Sequence, residues 1–247
     1  MASESDTPEL EHAREAILLA TLAHVPFDGW SDKALAAGIA DAGQREALAK
    51  LAFPDGPADL AAYYCAFADR RMVAALDAEA VAEMRIRERI AHVVRLRLAQ
   101  AEGEREAVAE LMTWFAFPGN QPLAAKCLYR TVDAMWRAIG DTSTDFNFYS
   151  KRAILAAVLS ATVFYWIGDE SEAAMDTAAF LDRRIDDVMA FERAKGRAQE
   201  WLAELPDPFR ILRDVTGRAR GRDGAGGGQP GENGGAGGAP GAGSSGS

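Results

Sequence analysis

The side chains best suited to catalysis or metal binding, histidine and cysteine, are few and scattered in this sequence. The histidines are His12, His24 and His92, and the cysteines are Cys65 and Cys127. No histidine has a partner at the spacing of a metal site or a catalytic triad, so each lacks the orienting group that base catalysis requires. The cysteines lie sixty-two residues apart, which matches neither a zinc-knuckle spacing nor a disulfide framework.

Catalytic motifs are also missing from the part of the sequence that precedes a glycine-rich C-terminus. That part has no glycine-rich phosphate loop, no nucleophile elbow and no paired Glu-x-x-His motif. We therefore predict a protein that is not an enzyme and that carries neither a cofactor nor a metal ion.

Protein recognition is the chemistry that one short segment indicates instead. Asp145, Phe148, Tyr149 and Arg152 fall at positions i, i+3, i+4 and i+7, and Lys151 lies beside them. On a helix this spacing places two aromatic rings and two opposite charges on one face. Aromatic side chains and arginine are enriched at the centres of protein interfaces. From the spacing alone, a partner-binding surface and an ordinary face of the fold are equally good interpretations.

This segment opens the helix that we expect at the centre of the fold. Residues 153–168 carry no charge, and their alanines and leucines favour a helix over the competing strand interpretation. A polar turn before the run supplies caps, and Gly168 supplies the stop. A membrane-spanning helix needs about 20 apolar residues. Because Lys151 and Asp169 bound the run on its two sides, we expect it to be too short to cross a bilayer.

Helical spacing recurs along the rest of the chain. Short helices are predicted at residues 8–23, after Ser31 and at residues 44–53, with a break at residues 24–30; longer helices are predicted at residues 58–77, 80–101, 105–117, 122–139 and 172–194. No strand alternation of useful length interrupts them. We therefore predict an all-α fold in which a small N-terminal three-helix unit is continuous with a larger helical bundle.

The three short helices resemble a helix-turn-helix module, but their charge opposes DNA binding. Residues 1–80 contain six basic and fourteen acidic side chains, and the segment that would enter the DNA groove offers Arg45 and Lys50 alone. The whole chain has a formal net charge of −10, which repels polyanions. We predict no nucleic-acid binding.

The N-terminus is acidic and lacks both an apolar core and an arginine-rich amphipathic pattern. These features argue against secretion and against organelle import. With cysteines this few, a reducing compartment fits best, and we predict a location in the bacterial cytoplasm.

Three features are ambiguous from the residues alone. Large apolar side chains are abundant after residue 58, and they suit a filled core or a core that holds an apolar ligand. Five arginines between residues 85 and 97 suit a solvated helix or attraction to anionic lipid headgroups. An amphipathic pattern near the C-terminus suits packing on the bundle or contact with a membrane interface; it comprises Trp201, Leu202, Leu205, Phe209 and Leu212.

Five segments carry a resemblance to a known family: HVPFDGWSDKAL, FPDGPADLAAYY, MRIRERI, WRAIGDTSTDFNFYSKRAIL and FLDRRIDDVM. They lie in the family's order over about residues 10–195, and GDTSTDFNFYSKRA is the most specific part. The chain resembles the ubiquinone (coenzyme Q) biosynthesis accessory family, which consists of lipid-binding proteins with the fold of TetR-type repressors.

The resemblance implies an all-α, TetR-repressor-like helical bundle with a vestigial helix-turn-helix unit. The implied organisation is a helix-turn-helix-like unit at residues 8–56, a lipid-binding bundle at residues 57–195, amphipathic C-terminal helices at residues 196–216 and a disordered glycine-rich tail at residues 217–247. The tail has no counterpart that we recognise in the family.

The implied function is that of a non-catalytic accessory protein of ubiquinone biosynthesis. Such a protein binds an isoprenoid quinone intermediate or a phospholipid and presents it to the di-iron hydroxylase that acts on demethoxyubiquinone. Peripheral contact with the inner face of the cytoplasmic membrane and a homodimer are further expectations. The alternative is a TetR-type, ligand-responsive transcription regulator.

The resemblance also assigns candidate site residues. The family's NWYTKR motif stands here as Asn147, Phe148, Tyr149, Ser150, Lys151 and Arg152, and phenylalanine at position 148 keeps the apolar face but loses an indole donor. The expected partner-binding residues are Asp145, Phe148, Tyr149, Lys151 and Arg152. The expected lipid-binding residues are Leu155, Leu159, Phe164, Trp166, Trp114, Phe115 and Met135. The expected membrane contacts are Trp201, Leu202, Leu205, Phe209 and Leu212.

Overall fold

Helices account for all the regular structure in the residues that the computed structural model describes. These are residues 8–141 and 146–204, and for residues 146–147 and 192–204 the description covers the backbone alone. No strand occurs within these ranges. The predicted all-α fold is confirmed.

Eleven α-helices follow one another within the described ranges. They are α1 (Pro8–Leu22), α2 (Val25–Asp28), α3 (Asp32–Asp41), α4 (Glu46–Ala52), α5 (Pro57–Ala75), α6 (Ala78–Glu83), α7 (Ile86–Gln100), α8 (Arg105–Ala116), α9 (Gln121–Ala138), α10 (Phe146–Ile167) and α11 (Met175–Glu204). Single 3-10 turns at Glu102–Glu104 and Glu172–Ala174 precede α8 and α11.

Close packing of α1 against α3 and α4 organises the N-terminal unit. Helix α3 begins after Ser31, whose Oγ accepts a hydrogen bond from the Ala34 amide at 3.2 Å, as its cap-forming residue type predicts. Gly38 of α3 lies so close to α1 that a Cβ at this position would come within 2.7 Å of the Thr21 backbone. The contact between these helices therefore requires glycine.

One segment of the N-terminal unit differs from its sequence-based interpretation. The break predicted at residues 24–30 is wrong, because Val25–Asp28 forms the one-turn helix α2. Pro26 sets a helical φ in its first turn, and the Val25 side chain is buried. Trp30 follows and donates a hydrogen bond from Nε1 to the Ala107 carbonyl at 3.0 Å. This contact attaches the N-terminal unit to α8.

The single helix predicted at residues 80–101 is also wrong, because the chain divides there into α6 and α7. The Arg85 amide donates to the Glu88 carboxylate at 2.9 Å and so caps the start of α7. Arg89 donates to the carbonyls of Met84 at 2.9 Å and Ala82 at 2.7 Å, which satisfies the end of α6. Side-chain donors thus replace the helical hydrogen bonds that the break removes.

Helix α10 packs against α7, α8 and α9 in the bundle. Its stretch Phe148–Ile167 is long and apolar enough, by length and composition, to cross a membrane. By these two criteria, the expectation that the central helix is too short to cross a bilayer is wrong. The helix begins at Phe146, before the uncharged run, and the stretch that meets the criteria includes Lys151 and Arg152. One side of it contributes core residues, among them Leu155, Leu159 and Trp166.

Helix α11 continues to Glu204, beyond the end predicted at residue 194. A boundary between two units of the chain falls after Arg193. Two arginines of the basic helix α7 pair with acids of α11: Arg87 lies 2.6 Å from Asp186, and Arg95 lies 2.6 Å from Asp182. Their contacts are with protein carboxylates, which favours the solvated-helix interpretation of this basic segment.

Candidate functional site

An apolar cavity of about 330 Å³ lies inside the bundle. Ligand-binding pockets have volumes of about 300–1,000 Å³. Helices α5, α7, α8, α9 and α10 all contribute to its wall. Most of the wall is aliphatic or aromatic and includes Leu98, Val108, Leu111, Phe115, Leu159 and Trp166. An apolar chain that entered this space would lose contact with water, which is favourable.

The cavity reaches solvent beside α10. Phe164 contributes to its wall, although the residue is 63% exposed. Other wall residues, such as Tyr64 and Trp166, are fully buried. The wall therefore runs from an exposed aromatic ring at a mouth to the interior of the bundle.

The structure brings four of the seven expected lipid-binding residues to this cavity. Phe115, Leu159, Phe164 and Trp166 line it. The other three lie elsewhere: Leu155 and Met135 are buried in the core, and Trp114 packs against the Phe115 ring at 5.6 Å. Large apolar side chains fill a core as readily as they line a cavity, so their type alone does not distinguish these positions.

The cavity wall also carries a cluster of three polar residues that no pattern in the sequence indicated. Arg97 of α7 and Thr131 of α9 line the cavity, and Asp69 of α5 lies between them. Thr131 Oγ1 donates to the two Asp69 oxygens at 3.0 and 2.9 Å, while Arg97 Nε lies 3.5 Å from Asp69 Oδ1. Burial raises the pKa of Asp69, and the Arg97 guanidinium opposes that rise. These residues are far apart in sequence, and no local motif joins them.

The two cysteines also meet at this wall. Cys65 and Cys127 both line the cavity, and each lies one helical turn before a member of the Asp69–Thr131 pair. A hydrogen bond between the thiols, together with burial, raises the pKa of Cys65, and the same bond lowers the pKa of Cys127. Within the described residues no cluster of histidine, cysteine and acidic side chains is able to hold a metal ion.

The first turns of α10 present an aromatic surface. Tyr149 is 67% exposed, and its ring stands edge-on to the Phe148 ring at 5.1 Å. Lys151 pairs with Asp141 at 2.8 Å. We call Phe148, Tyr149 and Lys151 the α10 entrance surface.

Arg152 does not belong to an exposed face, and the expectation that it does is wrong. Its side chain is 4% exposed. It donates from Nε to Asp133 Oδ1 at 2.8 Å and from Nη1 to the Phe148 carbonyl at 3.2 Å, and its guanidinium lies 3.3 Å from the centre of the Phe148 ring. The helical spacing correctly placed Arg152 beside Phe148, but no local pattern indicated that Asp133 on α9 holds the arginine side chain in the interior.

Several expected site residues lie outside what the structure describes. Asp145 falls in the undescribed residues 142–145, and Leu205, Phe209 and Leu212 lie beyond Glu204. Trp201 and Leu202 belong to α11 by backbone alone. The assignments of these residues to a partner surface and a membrane contact stay predictions.

Comparisons with known proteins add an independent test. The COQ9 family model matches residues 121–192, which hold α9, α10 and much of α11. The human protein named "Ubiquinone biosynthesis protein COQ9, mitochondrial" is 32% identical over 229 residues, covering 87% of this chain and 70% of the human protein. The rat protein of that name is 32% identical over 229 residues, covering 87% of this chain and 72% of the rat protein.

A more distant relative and a solved structure agree with this family. The Schizosaccharomyces pombe protein "Ubiquinone biosynthesis protein coq9, mitochondrial" is 29% identical over 199 residues, covering 79% of this chain and 78% of that protein. The crystal structure of the TetR transcriptional regulator from Nitrosomonas europaea ATCC 19718 superposes with a TM-score of 0.57 at 20% identity, covering 70% of this chain and 95% of the regulator. At this identity the regulator shows the fold alone, and it confirms the predicted TetR-like architecture. By its likeness to the human and rat proteins over most of their length, the chain belongs to the COQ9 family.

Proposed function

We propose that this protein is a non-catalytic accessory protein of ubiquinone biosynthesis, that it binds an isoprenoid quinone intermediate or another lipid in its cavity, and that it presents this lipid to the di-iron demethoxyubiquinone hydroxylase. Membership of the COQ9 family supports a role in ubiquinone biosynthesis. Lipid binding and the hydroxylase partner are the parts of the proposal that go further.

The observation that carries the lipid proposal is the apolar cavity in the bundle. Each methylene group of a ligand that leaves water for the cavity contributes about 0.8 kcal/mol, so binding strengthens with the length of the apolar segment that enters. The mouth beside Phe164 gives an apolar chain a route inward. A phospholipid acyl chain and an isoprenoid tail both suit such a wall.

The docking proposal rests on the position of the α10 entrance surface. Tyr149 is exposed and precedes Leu159, a cavity residue on the same helix, by ten residues. At 1.5 Å per residue this separation is about 15 Å along the helix axis. A partner bound at Tyr149 would therefore contact the same helix that forms part of the lipid site.

The regulator alternative is less well supported by the N-terminal charges. Arg45 lies 3.8 Å from Glu9, and Lys50 lies 2.8 Å from Glu46. Acids thus accompany both bases that the DNA-reading segment offers, and phosphate neutralisation dominates DNA affinity. Salt-dependent duplex binding that is lost on changing Arg45 and Lys50 to alanine would favour the regulator.

Membrane contact and location remain part of the proposal. The curated relatives are named as mitochondrial, and a place for this chain in the bacterial cytoplasm, at the inner face of the membrane, stays a prediction. The homodimer also stays a prediction.

Native mass spectrometry of the full chain tests the lipid proposal. The protein is purified, its bound lipids are identified, and it is then incubated with vesicles that contain an isoprenoid quinone. We expect a bound isoprenoid or phospholipid in at least one of the two samples. Finding no bound lipid after purification and no uptake from vesicles would remove the proposal.

A further inference from the structure

Arg97 is a charged side chain in the wall of an otherwise apolar cavity. It projects from α7 and lines the cavity, and its side chain is 14% exposed. Buried polar groups in proteins almost always have hydrogen-bond partners, because an unpartnered one loses its hydration without replacement. The hydrogen bonds that Arg97 makes within the protein therefore determine which of its donors remain for a ligand.

The protein satisfies this guanidinium only in part. Among the described residues, buried Arg97 Nε has no hydrogen-bond partner. Its ion pair with Asp69 spans 3.5 Å, which exceeds the roughly 2.7–2.9 Å of a charge-assisted hydrogen bond. The Asp69 carboxylate accepts instead from Thr131. The two terminal Nη groups of Arg97 make no hydrogen bond with the described residues, and they are the donors that remain for an occupant of the cavity.

The charge of this group favours a neutral oxygen over an anion. Asp69 lies opposite Arg97 and balances its charge. An anionic headgroup would lose its hydration in the cavity. Because Asp69 already balances the charge of Arg97, the headgroup would gain little electrostatic attraction in return. A carbonyl or ether oxygen has less hydration to lose, and it is able to accept a hydrogen bond from the guanidinium.

We propose that Arg97 is the polar anchor of the cavity and selects neutral lipids that carry an acceptor oxygen, as a quinone ring does, over plain hydrocarbons and over anionic lipids. This inference rests on the proposed lipid-binding function and adds the chemical class of the ligand. Arg97 is then a specificity-determining residue, and the apolar wall supplies binding that does not distinguish among these ligands.

Competition among three probes with the same ten-carbon tail tests this selectivity. The probes are a decyl-substituted benzoquinone, decylbenzene and decanoate, which present a neutral oxygen, no oxygen and an anion. Quenching of tryptophan fluorescence by the quinone reports occupancy, because Trp166 lines the cavity, and the other probes are measured by displacement. The variants are Arg97→Met and, as a matched control on the same helix, Arg95→Met, whose residue does not line this cavity.

We expect the wild-type protein to bind the benzoquinone about tenfold more tightly than decylbenzene, as one hydrogen bond from a charged donor provides. Arg97→Met should lose this preference while its affinity for decylbenzene stays the same, and Arg95→Met should keep it. If Arg97→Met does not fold, the double variant Arg97→Met with Asp69→Asn removes both charges and leaves Thr131 an acceptor.

Each of the other possible results contradicts a different part of the proposal. A preference that survives in the Arg97 variants, or equal binding of both neutral probes by the wild-type protein, removes the anchor but leaves the lipid cavity. Tighter binding of decanoate than of the benzoquinone overturns the choice of a neutral ligand. Binding of none of the probes argues against the proposed lipid function itself.

Discussion

Arg152 Nη2 lies 2.7 Å from Asp133 Oδ1, so an arginine in the second turn of α10 is fixed to α9 inside the protein. Asp133 also pairs with Arg137 at 2.8 Å, but the Arg137 side chain is 71% exposed. The same carboxylate thus takes part in one buried and one exposed ion pair. The difference in burial predicts a large difference in their energetic importance.

Arg152→Met should lower the free energy of unfolding by about 3 kcal/mol or more, because it leaves a partly buried carboxylate without its main partner. Arg137→Met, the matched control, should lower it by less than about 1 kcal/mol, as exposed ion pairs do. Urea unfolding followed by circular dichroism measures both. Equal effects of the two substitutions would contradict the assignment of Arg152 as a structural residue.

Because a substitution at buried Arg152 would also change stability, Tyr149→Ala is the better test of the docking surface. The side chain is exposed, so the substitution should leave the melting temperature nearly unchanged. An aromatic residue at the centre of an interface often contributes enough that its loss weakens binding about tenfold or more. We expect this loss in affinity for the purified di-iron hydroxylase, measured by biolayer interferometry.

The control for this surface is Tyr129→Ala, which removes an exposed tyrosine from α9. It should bind the hydroxylase as the wild-type protein does. If Tyr149→Ala also binds normally, the α10 entrance surface is not the docking site.

Tyr149 and Arg152 show which features of the structure the sequence predicts and which it does not. The 3.6-residue period and the caps predict the helices and the all-α class, since local spacing determines these features. The burial of Arg152 depends on Asp133, nineteen residues away on another helix, and no local pattern reports that contact. The Arg97 and Asp69 group on the cavity wall is hidden for the same reason.

The loop between α10 and α11 provides a prediction about pH. Asp169 accepts hydrogen bonds from the Ser171 amide at 2.8 Å and from the Thr177 amide at 2.8 Å. Between these two bonded residues, Ala173 and Ala174 have φ of 50° and 53°, a region that costs energy for residues other than glycine. Hydrogen bonds from Ser171 and Thr177 lower the pKa of Asp169.

Because the folded-state pKa lies below the unfolded value of about 3.9, the ionised carboxylate stabilises the fold above that pH, and the stabilisation is lost as the pH falls below it. Asp169→Asn should therefore lower the melting temperature at neutral pH, and the difference from the wild-type protein should shrink below about pH 4. Differential scanning calorimetry between neutral and acidic pH measures this. Asp176→Asn, an exposed carboxylate in the next helix, should show a smaller effect, and a pH-independent difference for Asp169→Asn would contradict the account.

Lipid uptake by a variant with a filled cavity tests the central claim most directly. Val108 is buried and lines the cavity, so Val108→Phe should occupy space that about two methylene groups of a ligand would fill and reduce affinity about tenfold. The matched control is Val73→Phe, an exposed position on α5 outside the cavity. The measurement is the amount of isoprenoid quinone bound per chain, by native mass spectrometry, after incubation with quinone-containing vesicles. We predict near-normal uptake by Val73→Phe and strongly reduced uptake by a folded Val108→Phe; equal uptake by the two variants would contradict lipid binding in this cavity.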